Sequence, residues 1–173
     1  MKYLIFLLIF SFFTLPVQAQ RSSGSRIFID ASQIPDSVKN SQNKLFAGIS
    51  VSRWEEHISK SPGKGGKQYI ASFTDPNGVR VRARYTSQGK NMSVSRFYVS
   101  AKLPAVVTTA VQRYAGYKAM GAEEIKSTEK QKTYYKVRLR NEAGSRTVVL
   151  DEKGDEVSKG NSDVEIEPEE GDH

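Results

Sequence analysis

The sequence predicts an α+β protein in which two tandem repeats, each a helix followed by an antiparallel sheet, pack into one domain. An apolar-proline pair, first Ile34-Pro35 and later Leu103-Pro104, opens a segment with helical spacing of apolar residues. After each segment the spacing changes to strict alternation, which is typical of strands that bury one face. Gly-containing turns separate the alternating runs. Because one helix cannot cover a sheet alone, we expect the two units to share one core.

Both predicted helices have a start signal and a stop signal. Proline suits the first helical turn, where its missing N–H would have no partner in any case. In the second unit Val107, Ala110, Val111 and Tyr114 follow the spacing of one apolar helix face. A glycine follows each segment, as expected for a helix that ends there.

The alternating runs predict hairpins. In the first unit an Asp-Pro-Asn-Gly turn over residues 75–78 joins two strands, and in the second an Asn-Glu-Ala-Gly turn over residues 141–144 does so. An offset of 66 residues aligns the units as far as Gly78 and Gly144, after which the offset is 65. We expect a β-bulge to absorb this slip. Further strands are predicted at residues 49–57, 91–99, 120–127 and 155–158.

The first residues have the pattern of a secretory signal peptide. Lys2 precedes an apolar run that ends at Phe13, Pro16 follows, and small residues lead to a predicted cleavage site after Ala19. The run is shorter than the roughly 20 residues needed to span a bilayer. We therefore predict a periplasmic or secreted protein that does not span the membrane. Without any cysteine it folds outside the cytoplasm without disulfides.

Charge is unevenly distributed along the chain. Residues 21–150 hold 23 basic and 9 acidic residues, whereas residues 151–173 hold 2 basic and 10 acidic residues. Residues 160–173 contain too few apolar groups to order themselves, which predicts a disordered acidic tail. We expect this tail to shield basic surfaces of the same chain. The predicted organisation is a signal peptide at 1–19, a flexible leader at 20–31, a first repeat at 32–100, a second repeat at 101–159 and an acidic tail at 160–173.

The sequence resembles the PepSY-like, β-lactamase-inhibitor-protein-like (BLIP-like) domains of exported bacterial proteins. The resemblance is clearest at Leu103-Pro104, at Tyr134-Tyr135-Lys136-Val137 and over residues 150–155. It implies a helix that leads into an antiparallel sheet, and a module that binds or inhibits proteins in the envelope or outside the cell. The chain departs from the inhibitor by having no cysteines, and no stretch matches an inhibitory loop, so no partner contact is carried over.

Catalytic and metal-binding patterns are weak. The histidines are His57, which we interpret as an ordinary strand-end residue, and His173 in the acidic tail, and no nucleophile elbow surrounds a serine. Residues 151–156 lack the alternating oxygen ligands of a calcium loop and read as a hairpin turn. The Gly-Lys-rich stretch 63–67 lacks the ending of a phosphate-binding loop and is followed by strand-like residues. We predict no enzyme activity, no metal and no cofactor.

Basic residues alternate along one strand of each predicted hairpin, so that three cations from each unit share one side of a strand. A cationic sheet face attracts anions, although a solvated face that prevents edge pairing has the same pattern. Exposed aromatic residues beside arginine are typical anchors of protein interfaces. The predicted partner-binding residues are Arg80, Arg82, Arg84, Tyr134, Lys136, Arg138, Arg140, Trp54 and Tyr98.

Three functional classes remain compatible with these features. The first is a non-catalytic module that engages an envelope or secreted protein through its sheet face. The alternative is a binder of an anionic envelope polymer, such as a glycan or lipopolysaccharide, through the basic face. The third is an enzyme with unusual motifs. Nucleic acid is not an expected ligand outside the cell.

Overall fold

A computed structural model describes residues 25–59 and 66–157 of the chain. Its eight strands form one antiparallel sheet in the order of the sequence. The strands are β1 (Ser25–Ile29), β2 (Arg53–Ser59), β3 (Gly66–Thr74), β4 (Arg80–Thr86), β5 (Asn91–Val99), β6 (Lys118–Ser127), β7 (Lys132–Asn141) and β8 (Gly144–Leu150). The helices are α1 (Asp36–Leu45) and α2 (Ala105–Val111), with short 3-10 helices at Ala31–Gln33 and Ser100–Lys102.

The predicted fold class, two packed helix-plus-sheet repeats in an α+β domain, is wrong. Strand β5 pairs with β6 from Ser93↔Ser127 to Val99↔Gly121, so the strands on either side of α2 belong to one continuous sheet. Strands therefore dominate the fold, and the two helices are short. A sheet that ended at β5 would leave a row of unpaired backbone groups, and pairing with β6 satisfies them.

Both helices pack on the same side of this sheet, which we call the helix face. Helix α1 contributes Val38 to a first core cluster on β2–β4, and α2 contributes Val107 and Ala110 to a second cluster on β6–β8. The strand residues of the first cluster are Trp54, Tyr69, Ala71, Phe73, Val81, Ala83 and Tyr85. Those of the second cluster are Ala122, Val137, Leu139, Val148 and Leu150.

The two predicted helices are confirmed, with small differences at their ends. Pro35 and Pro104 were predicted at the first helical position, but they occupy the N-cap positions, one residue before the helices begin. Helix α2 ends at Val111, and Tyr114, which the helical spacing included, lies in the turn that follows. A turn lets Tyr114 reach Glu156, whose carboxylate accepts a hydrogen bond of 2.8 Å from its hydroxyl.

The predicted hairpins β3–β4 and β7–β8 are confirmed, but the predicted bulge is not where the slip occurs. Thr74 pairs with Arg80 across the first turn and Arg140 with Ser145 across the second, so the second turn is shorter by one residue. Turn length therefore absorbs the slip. The register shifts lie elsewhere, between Arg84 and Tyr85 in β4 and beside Gly121 in β6.

The chain ends of the predicted organisation are only partly described. Residues 25–29, predicted to belong to the flexible leader, form β1 and pair with β2. The predicted strand at residues 155–158 is a single bridge between Leu150 and Glu156. The predicted signal peptide 1–19, residues 60–65 and the predicted acidic tail 160–173 lie outside the described residues. Within the described ranges no helix has the length and apolarity to cross a membrane.

Candidate functional site: the open face of the sheet

The sheet surface opposite the helices, here called the open face, is strongly basic. Strand positions alternate between the two faces, so directly paired residues on neighbouring strands share a face. Three cross-strand rows define its centre: Phe28–Glu55–Ile70–Arg84–Ser93–Ser127–Lys132, Arg53–Ser72–Arg82–Ser95–Ile125–Tyr134 and Arg80–Phe97–Glu123–Lys136–Val149.

The charges of the open face do not balance. Its strands contribute two acidic residues, Glu55 and Glu123, and ten basic residues, for a net charge of +8. The basic residues are Arg26, Arg53, Arg80, Arg82, Arg84, Lys118, Lys132, Lys136, Arg138 and Arg140. Such a concentration of one sign raises the local concentration of anionic ligands.

All six predicted cations lie on this face. Arg80, Arg82 and Arg84 project from β4, and Lys136, Arg138 and Arg140 project from β7. Two strands separate the two groups, which places them about 14 Å apart at the usual spacing of neighbouring strands. The intervening strand β5 presents mainly small residues there, Ser93 and Ser95. The two groups therefore flank a shared surface.

The structure places the three predicted aromatic contacts differently from the sequence interpretation. Trp54 and Tyr98 lie on the helix face, where Trp54 belongs to the first core cluster. Tyr134 does face the open side, but only 5% of its surface is exposed. It therefore is not an exposed anchor. Burial, and after it the charge of Glu124, raises the pKa of Tyr98, whose hydroxyl donates a hydrogen bond of 3.4 Å to the Glu124 carboxylate.

Aromatic residues that the sequence interpretation missed support the arginines of the open face. The guanidinium carbon of Arg80 lies 4.4 Å from the ring centre of Phe97, and that of Arg82 lies 5.7 Å from it. On β2, the guanidinium carbon of Arg53 lies 4.8 Å from the ring centre of Phe28 in β1, which is 70% exposed. In the adjacent pairs Arg53-Trp54 and Phe97-Tyr98, alternation sends one side chain to each face of the sheet. Had the facing of Trp54 and Tyr98 been known, it would have identified Arg53 and Phe97 as residues of the open face.

A buried carboxylate organises the β2–β4 end of the open face. One oxygen of Glu55 lies 3.2 Å from Nε of Arg53 and 3.6 Å from a terminal nitrogen of Arg82. Only 3% of the Glu55 side chain is exposed. A carboxylate this deep needs cationic neighbours to offset its lost hydration. The pair of arginines is therefore oriented from below by Glu55.

Next to these residues the open face has a cleft of about 320 Å³. Arg53, Arg80 and Arg82 line it together with Ser52, Ser72, Phe73 and Thr74. His57, the histidine considered for catalysis, lies outside this lining; it is a buried residue of β2 opposite Gln68. Within the described ranges no group of three or more His, Cys, Asp or Glu residues could hold a metal ion.

Comparison with known proteins gives the class of fold. No family model matches the chain, and no curated protein matches it. Among solved structures, a BLIP-like protein from Bacteroides fragilis has 14% identity and a TM-score of 0.56, covering 72% of this chain and 83% of that one. A DUF2874 family protein from Bacteroides uniformis has 15% identity and a TM-score of 0.56, with 72% and 86% covered. A candidate periplasmic protein from Bacteroides eggerthii has 18% identity and a TM-score of 0.53, with 72% and 86% covered.

These likenesses show that the chain has a BLIP-like fold. At identities below one fifth they show the fold and nothing of the function. The BLIP-like part of the sequence resemblance is therefore confirmed for the fold, and its PepSY-like part is not confirmed.

Proposed function

We propose that the protein is an exported, non-catalytic module that binds another protein of the envelope through the open face. The observation that carries this proposal is the face itself: ten cations and two acids on the strands of a sheet surface that no described helix covers. The fold supports it too, since one of the similar structures is a BLIP-like protein and another is described as a candidate periplasmic protein. The signal-peptide pattern of residues 1–19 agrees with that location.

A sheet face of this kind suits a protein partner because its backbone is already ordered. Binding to a rigid surface avoids most of the ordering cost that a loop would incur. Arginines held against aromatic rings, such as Arg80 on Phe97, are the residue types that dominate interface energies. Charge complementarity means that such a face favours a partner with an acidic surface.

A second candidate is an anionic envelope polymer, such as lipopolysaccharide or another charged glycan. The observation that favours it is the spread of cations from β1 to β7, which offers contacts along an extended chain. Binding of this kind depends on the summed potential of the face and weakens steeply with added salt. It would not select a partner of defined stoichiometry.

A capture experiment from the envelope fraction of the producing cell separates these possibilities. The chain without residues 1–19 is compared with a variant in which Lys136, Arg138 and Arg140 are changed to Gln. A matched control changes Lys44, Lys102 and Lys126, which are exposed outside the open face, to Gln. We expect a stoichiometric protein that the control retains and the open-face variant loses. Equal retention by both variants would exclude this face.

The polymer alternative has its own readout on a heparin column. Changing Arg80, Arg82 and Arg84 to Ser should then lower the salt concentration of elution markedly, with no protein captured from the envelope fraction. An unchanged elution profile would remove the polymer alternative. Hydrolytic turnover of an envelope substrate by the purified protein would contradict the non-catalytic proposal.

A further inference from the structure

The cleft at the β2–β4 end of the open face combines three cations with no acidic residue among the described residues that line it. Arg53, Arg80 and Arg82 line it, and its other lining residues are polar or apolar but uncharged. Glu55 lies beneath Arg53 and Arg82 and offsets one of the three positive charges. The cleft therefore keeps a net charge of +2 where a ligand would enter.

Two of these guanidinium groups are held in place before any ligand arrives. Arg80 and Arg82 lie over the same ring, that of Phe97, at 4.4 Å and 5.7 Å from its centre. A guanidinium that lies over a ring by its flat side keeps its N–H donors at its edge. These donors are suited to a planar, two-oxygen acceptor, which they can bind in a bidentate manner.

The cleft also contains a buried hydroxyl group that bonds to no other described residue. Ser72 is 6% exposed and lines the cleft, and its hydroxyl has no hydrogen-bond partner among the described residues. A buried hydroxyl without a partner costs free energy, which an acceptor placed beside it recovers. Its position among three arginines points to an anionic acceptor.

The rim of the cleft indicates what carries the anion. Phe28 is 70% exposed and lies under Arg53, with the guanidinium carbon 4.8 Å from the ring centre. An exposed ring beside a cationic cleft matches a carboxylate that has an apolar neighbour, as an acidic side chain next to an aliphatic one has in a peptide.

From these features we propose that the cleft formed by Arg53, Arg80, Arg82 and Ser72 binds the carboxylate of an aspartate or glutamate side chain in a partner protein. This inference rests on the proposed function and names the anchoring contact within the open face. The carboxylate lies between the guanidinium edges of Arg80 and Arg82 and accepts a hydrogen bond from Ser72. The aliphatic neighbour of the acidic residue packs on Phe28.

The test uses a labelled peptide, Gly-Val-Glu-Ile-Glu-Val-Gly with blocked ends, and the chain of residues 20–173. Its partner peptide has Gln in place of Glu. Fluorescence anisotropy should show at least about tenfold tighter binding of the glutamate peptide, as charge-assisted hydrogen bonds require. Equal affinity for the two peptides would overturn the proposal. So would no binding of either, both by the chain of residues 20–173 and by the same chain ending at Lys159, which lacks the predicted acidic tail.

Matched variants show whether the cleft or the whole open face is responsible for peptide binding. Arg80→Gln should weaken binding about tenfold, and Ser72→Ala by several-fold. Arg80→Lys keeps the charge but loses the planar fork, so it should remain weaker than the wild type. Arg140→Gln makes the same change of charge on the open face outside the cleft and should weaken binding less than Arg80→Gln does. Lys44→Gln, on α1 away from the open face, should alter affinity by less than about twofold.

If Arg140→Gln lowered peptide affinity as much as Arg80→Gln, the whole face would attract the peptide diffusely. That result would overturn the proposal that the cleft is the binding site. In that case an envelope partner could still be captured, so the proposed function would stand. Conversely, peptide binding that depends on Arg80 without any captured protein would support the cleft and contradict the proposed function. Circular dichroism of each variant confirms that it is folded before its affinity is interpreted.

Discussion

The two faces of one sheet differ in how they exclude water. On the helix face, α1 and α2 cover two apolar clusters, and the strands there carry four cations and two acids. On the open face no described helix covers the strands, which carry ten cations and two acids. Both faces are built from alternate residues of the same strands. The pleat separates the two sets of side chains, and the position of the helices decides which set forms the core.

The open face nevertheless has buried residues of its own. Ile70, Ile125, Tyr134 and Val149 are each at most 5% exposed. In the cross-strand rows, Ile70 lies between Glu55 and Arg84. The aliphatic stems of arginine and lysine can cover such residues while their charged ends stay in water. Burial on the open face therefore depends on the stems of long charged side chains, whereas burial on the helix face depends on packed helices.

The largest difference in stability between the faces should come from alanine substitutions at two phenylalanines, one on each face. Phe73 is 1% exposed in the first core cluster and packs against Phe46, with ring centres 4.7 Å apart. Phe73→Ala should lower the free energy of unfolding by about 3–5 kcal/mol, because it leaves a cavity in a packed core. Phe97→Ala on the open face should cost about 1 kcal/mol, since it removes partly exposed surface and two arginine contacts. Urea unfolding measures both, and similar losses would contradict the distinction.

A glycine tests how closely α1 approaches the sheet. Gly89 has φ +81° in the β4–β5 turn, and a Cβ atom there would lie 2.4 Å from the carbonyl oxygen of Ser37 in α1. Gly89→Ala should cost about 3 kcal/mol, from the left-handed backbone together with this overlap. Gly78 has φ +76° with no atom within 4 Å of its Cβ position. Gly78→Ala should therefore cost about 1 kcal/mol in thermal unfolding. Equal costs would mean that α1 does not press on this turn.

The buried Tyr85 should give the helix face a sensitivity to alkaline pH. Its hydroxyl donates a hydrogen bond of 2.6 Å to Oε1 of Gln42. Burial raises the pKa of Tyr85 well above the ordinary value of 10.0. The folded state then retains a proton that the unfolded state loses, so this stabilisation is complete below about pH 10 and declines as the pH rises further.

Tyr85→Phe should lower the free energy of unfolding at pH 7 by about 1–2 kcal/mol, because it removes a buried hydrogen bond. Its decline in stability between about pH 10 and pH 11.5 should be shallower than in the wild type. Tyr98→Phe, which changes a partly exposed tyrosine, should flatten the decline less. Urea unfolding at a series of pH values measures both slopes. A slope unchanged by Tyr85→Phe would refute the prediction.

The smallest effects are expected for arginines of the open face, and they should separate into two kinds. Arg82→Gln removes a cation 3.6 Å from the buried Glu55 carboxylate and should cost about 1 kcal/mol. Arg140→Gln changes an exposed residue and should stay within about 0.5 kcal/mol. Chemical denaturation at low and high salt measures the difference. A cost for Arg140→Gln that exceeds that for Arg82→Gln would show that the cationic face stabilises the fold through β7.

The elements of this fold could be predicted wherever the signal lies in neighbouring residues. The prediction of a strand at residues 91–99 matches β5, and the alternation of Arg80, Arg82 and Arg84 placed them correctly on one side of β4. The facing of Trp54 could not be predicted, because it depends on the pairing of β2 with β3 and not on the local pattern. For the same reason the cleft escaped prediction: Arg53, Ser72 and Arg82 meet only through strand pairing.

The sequence by itself determined the two helices after their proline residues, the hairpins and the cationic side of β4 and β7, since helical and strand periods are properties of a few adjacent residues. Only the tertiary structure decided that β5 and β6 join the strands into one sheet and that both helices lie on the same side of it. It also decided that the cations of β4 and β7 share the surface left open. Strand pairing links residues far apart in the chain, and no local period specifies which strands will meet.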